Sequence, residues 1–175
     1  MTKARNVLFG ALGEGALILA VGAVAFAVRM PLLFPTLGPT AYELVEKPLS
    51  RSARTYNILM GHFFALGAGF LSLWILSAWG APKVDSAGFV TSPRLWAAVL
   101  SVVLTTAGTL ILDASQPASL ATTLLISLGS MQTKRDAIAI AVAVVILATI
   151  GEPVRRQFAQ AKMTTTRRAE IGGSI

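Results

Sequence analysis

The sequence predicts an all-α membrane protein: a multi-span helical bundle with two short segments interrupted by Pro and Gly, ordered as a possible inverted repeat of two three-element halves. Three observations predict it. Of 175 residues, 54% are hydrophobic and only 13% are Asp, Glu, Lys or Arg. A soluble domain carries about 25% charged residues, so this chain has too little charge to cover a water-facing surface. Long apolar runs recur along it, and the basic residues cluster between those runs and at both ends, as the positive-inside rule requires.

Crossing roughly 30 Å of hydrocarbon takes about 20 apolar residues. Val7 to Val28 meets this. It is too long for the core of a signal peptide and ends at Arg29, so it reads as a retained span. Met30 to Val45 follows, apolar but broken by Pro31, Pro35, Gly38 and Pro39. Ile58 to Trp79 is the second long span, and a polar linker, Gly80 to Pro93, separates it from the third, Leu95 to Leu112. Gln116 to Met131, opened by Pro117, is the second broken segment. Ala137 to Ile150 has 14 residues, about 21 Å of helix, and needs Lys134, Arg135 and Arg155 to snorkel or the bilayer to thin. The membrane domain is therefore 1–154, with halves 7–79 and 95–151. The basic tail, 155–175, is expected to be disordered or to lie on anionic lipid.

Charge asymmetry tests the order of passes. If both broken segments cross, Lys3, Arg5, Lys47, Arg51, Arg54, Arg155, Arg156, Lys162, Arg167 and Arg168 share the inside, 10 charges against 5 outside. If both dip and return, the split is 9 against 6. Six crossings are favoured, and both arrangements place the two termini in the cytoplasm, with the protein in the cell (inner) membrane. The net charge of +7 is thereby explained without nucleic acid, which would need basic residues interleaved with aromatics on one face.

Pro is favoured in the first turn of a helix, so Pro39 and Pro117 mark helix starts. A helix that begins inside the membrane aims unpaired N–H groups and about half a positive charge at whatever precedes it, an anion site made of main chain. Gly38, Pro39 and Thr40 at one start, and Gln116, Pro117, Ser119 and Thr122 at the other, are the candidate substrate contacts. Caps and neighbouring carbonyls are the competing use of those donors. Glu14, flanked by Gly13 and Gly15, is the only acid within a long span, where an ionisable group is a functional candidate unless it sits at headgroup depth. His62, the only histidine, suits proton handling or a hydrogen bond between helices. Asp113 either lines an entrance beside Gln116 or is a solvated helix-end acid. Gly61, Ala65 and Gly69, and likewise Ala11 and Gly15, form small-residue strips that let helices approach closely, and they could bring Glu14 near His62. With no cysteine and one histidine, no metal site, nucleophile–base pair or cofactor site is expected, and the chain does not read as an enzyme.

The order of segments and their motifs resembles the HPP family of small bacterial and plastid membrane proteins, over about Val7 to Ile150. Gly38-Pro39-Thr40-Ala41 stands where that family has Gly-Ala-Thr-Ala, and Asn57, Gly61 and His62 match the Asn and Gly-His that open its next span. The naming His-Pro-Pro motif and its Ala-Thr-Ala-Leu fall on Gln116-Pro117-Ala118 and Ala121-Thr122-Thr123-Leu124, keeping only the middle Pro. Some members are described as nitrite transporters. The resemblance implies transport; joined to the paired helix starts it gives passive or proton-coupled movement of a small, nitrite-like anion across the lipid bilayer. A homo-oligomer is expected because so small a chain has little protein to shield polar breaks from lipid. An accessory membrane subunit assembled through small-residue faces is the alternative.

Overall fold

The computed structural model describes residues 3–172; the side chains of Lys3, Arg167 and Arg168, counted above, lie outside the described ones. Among the described residues there is no strand. The helices are α1 (Lys3–Val28), α2 (Leu37–Glu46), α3 (Thr55–Ile75), α4 (Val84–Ala87), α5 (Ser92–Ile111), α6 (Ala118–Ser127) and α7 (Lys134–Gly172). Four of them, α1, α3, α5 and α7, are long and apolar enough to cross a membrane, which makes the chain a multi-pass helical bundle.

The long helices end where the sequence breaks them. Arg29 after α1, Ser77 after α3 and Asp113 after α5 all take left-handed φ, between 50° and 51°. That conformation costs a non-glycine residue about 1–2 kcal/mol and cannot propagate, so the chain turns. α7 departs from expectation. Its apolar run is short, yet the helix starts at Lys134 and continues through Pro153 into the tail. The tail is thus a helical extension, with Phe158 against Gly13 of α1 and Lys162 donating to the Glu46 carbonyl.

Contacts define two ends of the bundle. At the near end Gly10 meets Glu46, Thr55 donates to Glu152 at 3.0 Å, Arg155 donates to Pro48 O, and Arg51 pairs with Asp113. At the far end Arg135 donates to Arg29 O at 2.9 Å, and Arg94 donates to the carbonyls of Ala81 and Ser127. Tracing the chain through these marks gives six passes. Arg29 lies at the far end and Glu46 at the near end, so 30–46 crosses. Asp113 lies at the near end and Ser127 at the far end, so 114–127 crosses too. Each short pass is an extended lead followed by 10 helical residues, about 15 Å. α2 and α6 therefore both begin about halfway through the bundle and run in opposite directions.

Packing has the symmetry expected of an inverted repeat. α1 and α2 pack on each other and on α7; α5 and α6 pack on each other and on α3. The two groups meet through α3 with α7 and α2 with α6. Exchanging α1, α2 and α3 for α5, α6 and α7 returns the same set of pairs. Each group is completed by the third helix of the other half.

Candidate functional site

The two interrupted passes meet. Thr122 on α6 donates to the Thr36 hydroxyl, at the start of α2, over 3.1 Å, and both threonines are wholly buried. Thr40, one turn along α2, donates to Thr36 O at 3.0 Å and lies 3.4 Å from His62 Nε2. Because Ile58 O, 2.9 Å from His62 Nδ1, can only accept, Nδ1 carries the hydrogen. Nε2 is then bare in the neutral ring, and its contact with Thr40 is closed either by a proton on Nε2 or by the Thr40 hydrogen turning away from Thr36. Neither Thr36 nor Pro117 caps its helix with a side chain. The starts are not wholly free, since Ser119 N and Leu120 N donate to Gln116 O and Pro117 O.

Small residues allow this approach. A Cβ built at Gly61 would stand 2.6 Å from Gln116 Cβ, and one at Gly69 would stand 2.9 Å from Ile126 Cβ. Only hydrogen in place of a side chain lets α3 carry α6 and its lead so closely. Gln116 itself is 3% exposed, and neither its Nε2 nor its Oε1 has a hydrogen-bond partner. Native interiors leave few such groups, since each costs about 1–3 kcal/mol. The amide makes no well-aligned hydrogen bond, and the Glu43 carboxylate is its polar neighbour.

Comparison with protein families matches the HPP transmembrane region to residues 1–157. The chain belongs to the HPP family. Comparison with curated proteins and with solved structures returns no match. In this HPP family member the matched region takes in both halves and runs past Glu152 on α7.

Of the residues singled out in the sequence, Thr40, Gln116, Ser119, Thr122 and His62 gather in the buried centre. The others do not. Gly38 and Pro39 face outward from α2, and Pro117 is likewise exposed, so these three shape the starts without lining them. Glu14 lies beside Glu46 at the near end, and no hydrogen bond or ion pair joins it to His62 among the described residues. The Ala11 and Gly15 strip is exposed; Gly10 and Gly13 make the close contacts of α1 instead. Asp113 pairs with Arg51 and is 75% exposed, away from Gln116.

Sequence reasoning missed several polar groups in the HPP bundle. Glu43 lies on the inward face of α2, three residues past Thr40, with its carboxylate toward Ser52 and Gln116; no well-aligned hydrogen bond forms, and Oε2 is buried without a partner. Thr36, Thr40 and Glu43 are spaced by four and three, the signature of one helical face. Along α6, Ser119, Thr122, Thr123 and Ser127 continue a hydroxyl line to the far end, where Ser101 joins Ser127 at 3.3 Å. There the guanidinium of Arg94, wholly buried, ends the line on the Ser127 carbonyl. Buried polar groups thus occur along α6 from one end to the other, and Asn57, Ser72, Thr105 and Thr109 are buried elsewhere in the bundle.

Proposed function

We propose that this HPP family protein moves a small inorganic anion of nitrite-like size across the bilayer. The unpartnered amide of Gln116 carries this reading. It sits beside two helix starts, whose positive ends favour an anion, and among the described residues no Lys or Arg hydrogen-bonds to it. Gln116 Nε2 and the hydroxyls of Thr36, Thr40, Ser119 and Thr122 supply donors, and His62 gates by switching its partner at Thr40. The site stands where the passes break near mid-membrane, as in transporters built from inverted repeats.

The near end faces the cytoplasm of the inner membrane in this reading, because it carries the 10 basic residues against 5 at the far end. A homo-oligomer covers the outward side of Pro31, Pro35, Gly38 and Pro39, since irregular backbone is not left bare to lipid. Cross-linking in vesicles that yields monomers alone contradicts this assembly.

The test of function is flux of isotopically labelled nitrite into reconstituted vesicles. Gln116→Leu and Thr40→Val are expected to lower it at least about tenfold, the equivalent of one lost charge-assisted hydrogen bond. Unchanged flux in both variants removes this site. No flux in the wild type, with stable co-purification of another protein, replaces the reading with that of an accessory subunit.

A further inference from the structure

We infer that Glu43 is the proton carrier of a coupled transport: the Gln116 site admits an anion only while the Glu43 carboxyl is protonated, so that anion and proton cross together. The inference rests on the anion reading above and adds to it a residue and a stoichiometry.

Glu43 and an anion at Gln116 would share one amide. The carboxylate faces Gln116 from the inward side of α2, and both polar atoms of Gln116 and Glu43 Oε2 are buried without partners. Two negative charges on one buried amide repel, and water screens them only in part because Glu43 is half-buried with Oε2 turned inward. A protonated carboxyl removes the repulsion and adds an O–H donor. The same two side chains thus reject an anion in one protonation state and hold it in the other.

Other charges do not relieve this conflict. Lys47, at the end of the same helix, is the cation whose field acts on Glu43, but it lies over the Tyr42 ring, 5.9 Å from its centroid. In the adjoining loop Arg51 is paired with Asp113 and Arg54 is exposed. On α7, Arg155 is bound to Glu152. On α1, Glu14 faces Glu46, and on α3, His62 is turned to Thr40. Neutralisation by a proton is the remaining route, and a path exists for it. The Ser50 and Ser52 hydroxyls are 3.1 Å apart, and Ser52 faces Glu43, leading from the near-end surface to the carboxyl.

The cycle makes no bond to the anion. Glu43 takes a proton from near-end water through Ser52 and becomes neutral. The anion then binds at Gln116; both leave toward the opposite side, and Glu43 returns to the carboxylate. The transported charge is zero.

The experiment uses the full chain in vesicles loaded with a pH dye, with labelled nitrite outside and a potassium diffusion potential set by valinomycin. Protein-free vesicles supply the correction for diffusion of nitrous acid. In the wild type, nitrite uptake is expected to ignore the potential and to acidify the interior by one proton per anion. In Glu43→Gln, the remaining uptake is expected to follow the potential and to lose the acidification, while Glu43→Asp restores coupling. Wild-type uptake that follows the potential without acidification overturns the inference and leaves the anion reading standing. This measurement decides even if Glu43→Gln does not fold. Acidification that persists in a folded Glu43→Gln also overturns it. Absence of wild-type nitrite uptake removes the anion reading and this inference with it.

Discussion

A buried polar side chain is tolerated in a lipid-embedded protein only with partners or a use. Thr40 and Thr122 have partners; Gln116 has none. Gly61 is what allows Gln116 its place, and Gly61→Val should therefore push the α6 lead away. Overpacking of this kind costs about 1–3 kcal/mol, so the variant is expected to melt lower in detergent and to lose nitrite flux. Gly67, on the same helix, meets nothing within 4 Å, and Gly67→Val is the matched control. Equal melting of the two variants would contradict the close packing described. Thr40, Gln116 and Thr122 were legible in the sequence because Pro beside a hydroxyl or amide inside an apolar run is a strong local signal. Glu43 was hidden by proximity to Lys47 and the near-end charges, and only the spacing of Thr36, Thr40 and Glu43 pointed inward. Gly38 and Pro39 were misplaced for a related reason: a first-turn Pro marks where a helix begins but not which way its face turns.

At the scale of elements, the interrupted segments are full passes made from half-length helices. Pro31 and Pro35 in the lead and Pro39 in the first turn of α2 each lack an N–H, which removes donors where no helical partner is available. The absence of cysteine makes this measurable. Single cysteines at Ser50 and Asp113 should react with an impermeant thiol reagent from the same side, and those at Asp85 and Ser130 from the other. Labelling of Ser50→Cys and Arg29→Cys from one common side would mean that 30–46 does not cross, and labelling of Asp113→Cys and Ser130→Cys from one common side would mean the same for 114–127. Positions and types of the long helices were legible from apolar length alone. The reach of α7 was not, because its continuation past Ile150 depends on contacts with α1 and α2, through Phe158 with Gly13 and Lys162 with Glu46, that no local composition encodes.

For the whole molecule, the repeated order of long helix, break and helix was visible along the chain, while the exchange of third helices was not. Charge counts of 10 against 5 agree with the six passes traced through the contacts. Pattern along a chain reports which elements recur; it carries no information about whether a repeat closes on itself or on its twin.

That exchange has a consequence for biogenesis. Since α7 is the helix on which α1 and α2 both pack, these two leave the ribosome before the neighbour they share. The threonines at the start of α2 likewise meet His62 of α3 and Thr122 of α6, partners that are all made after them.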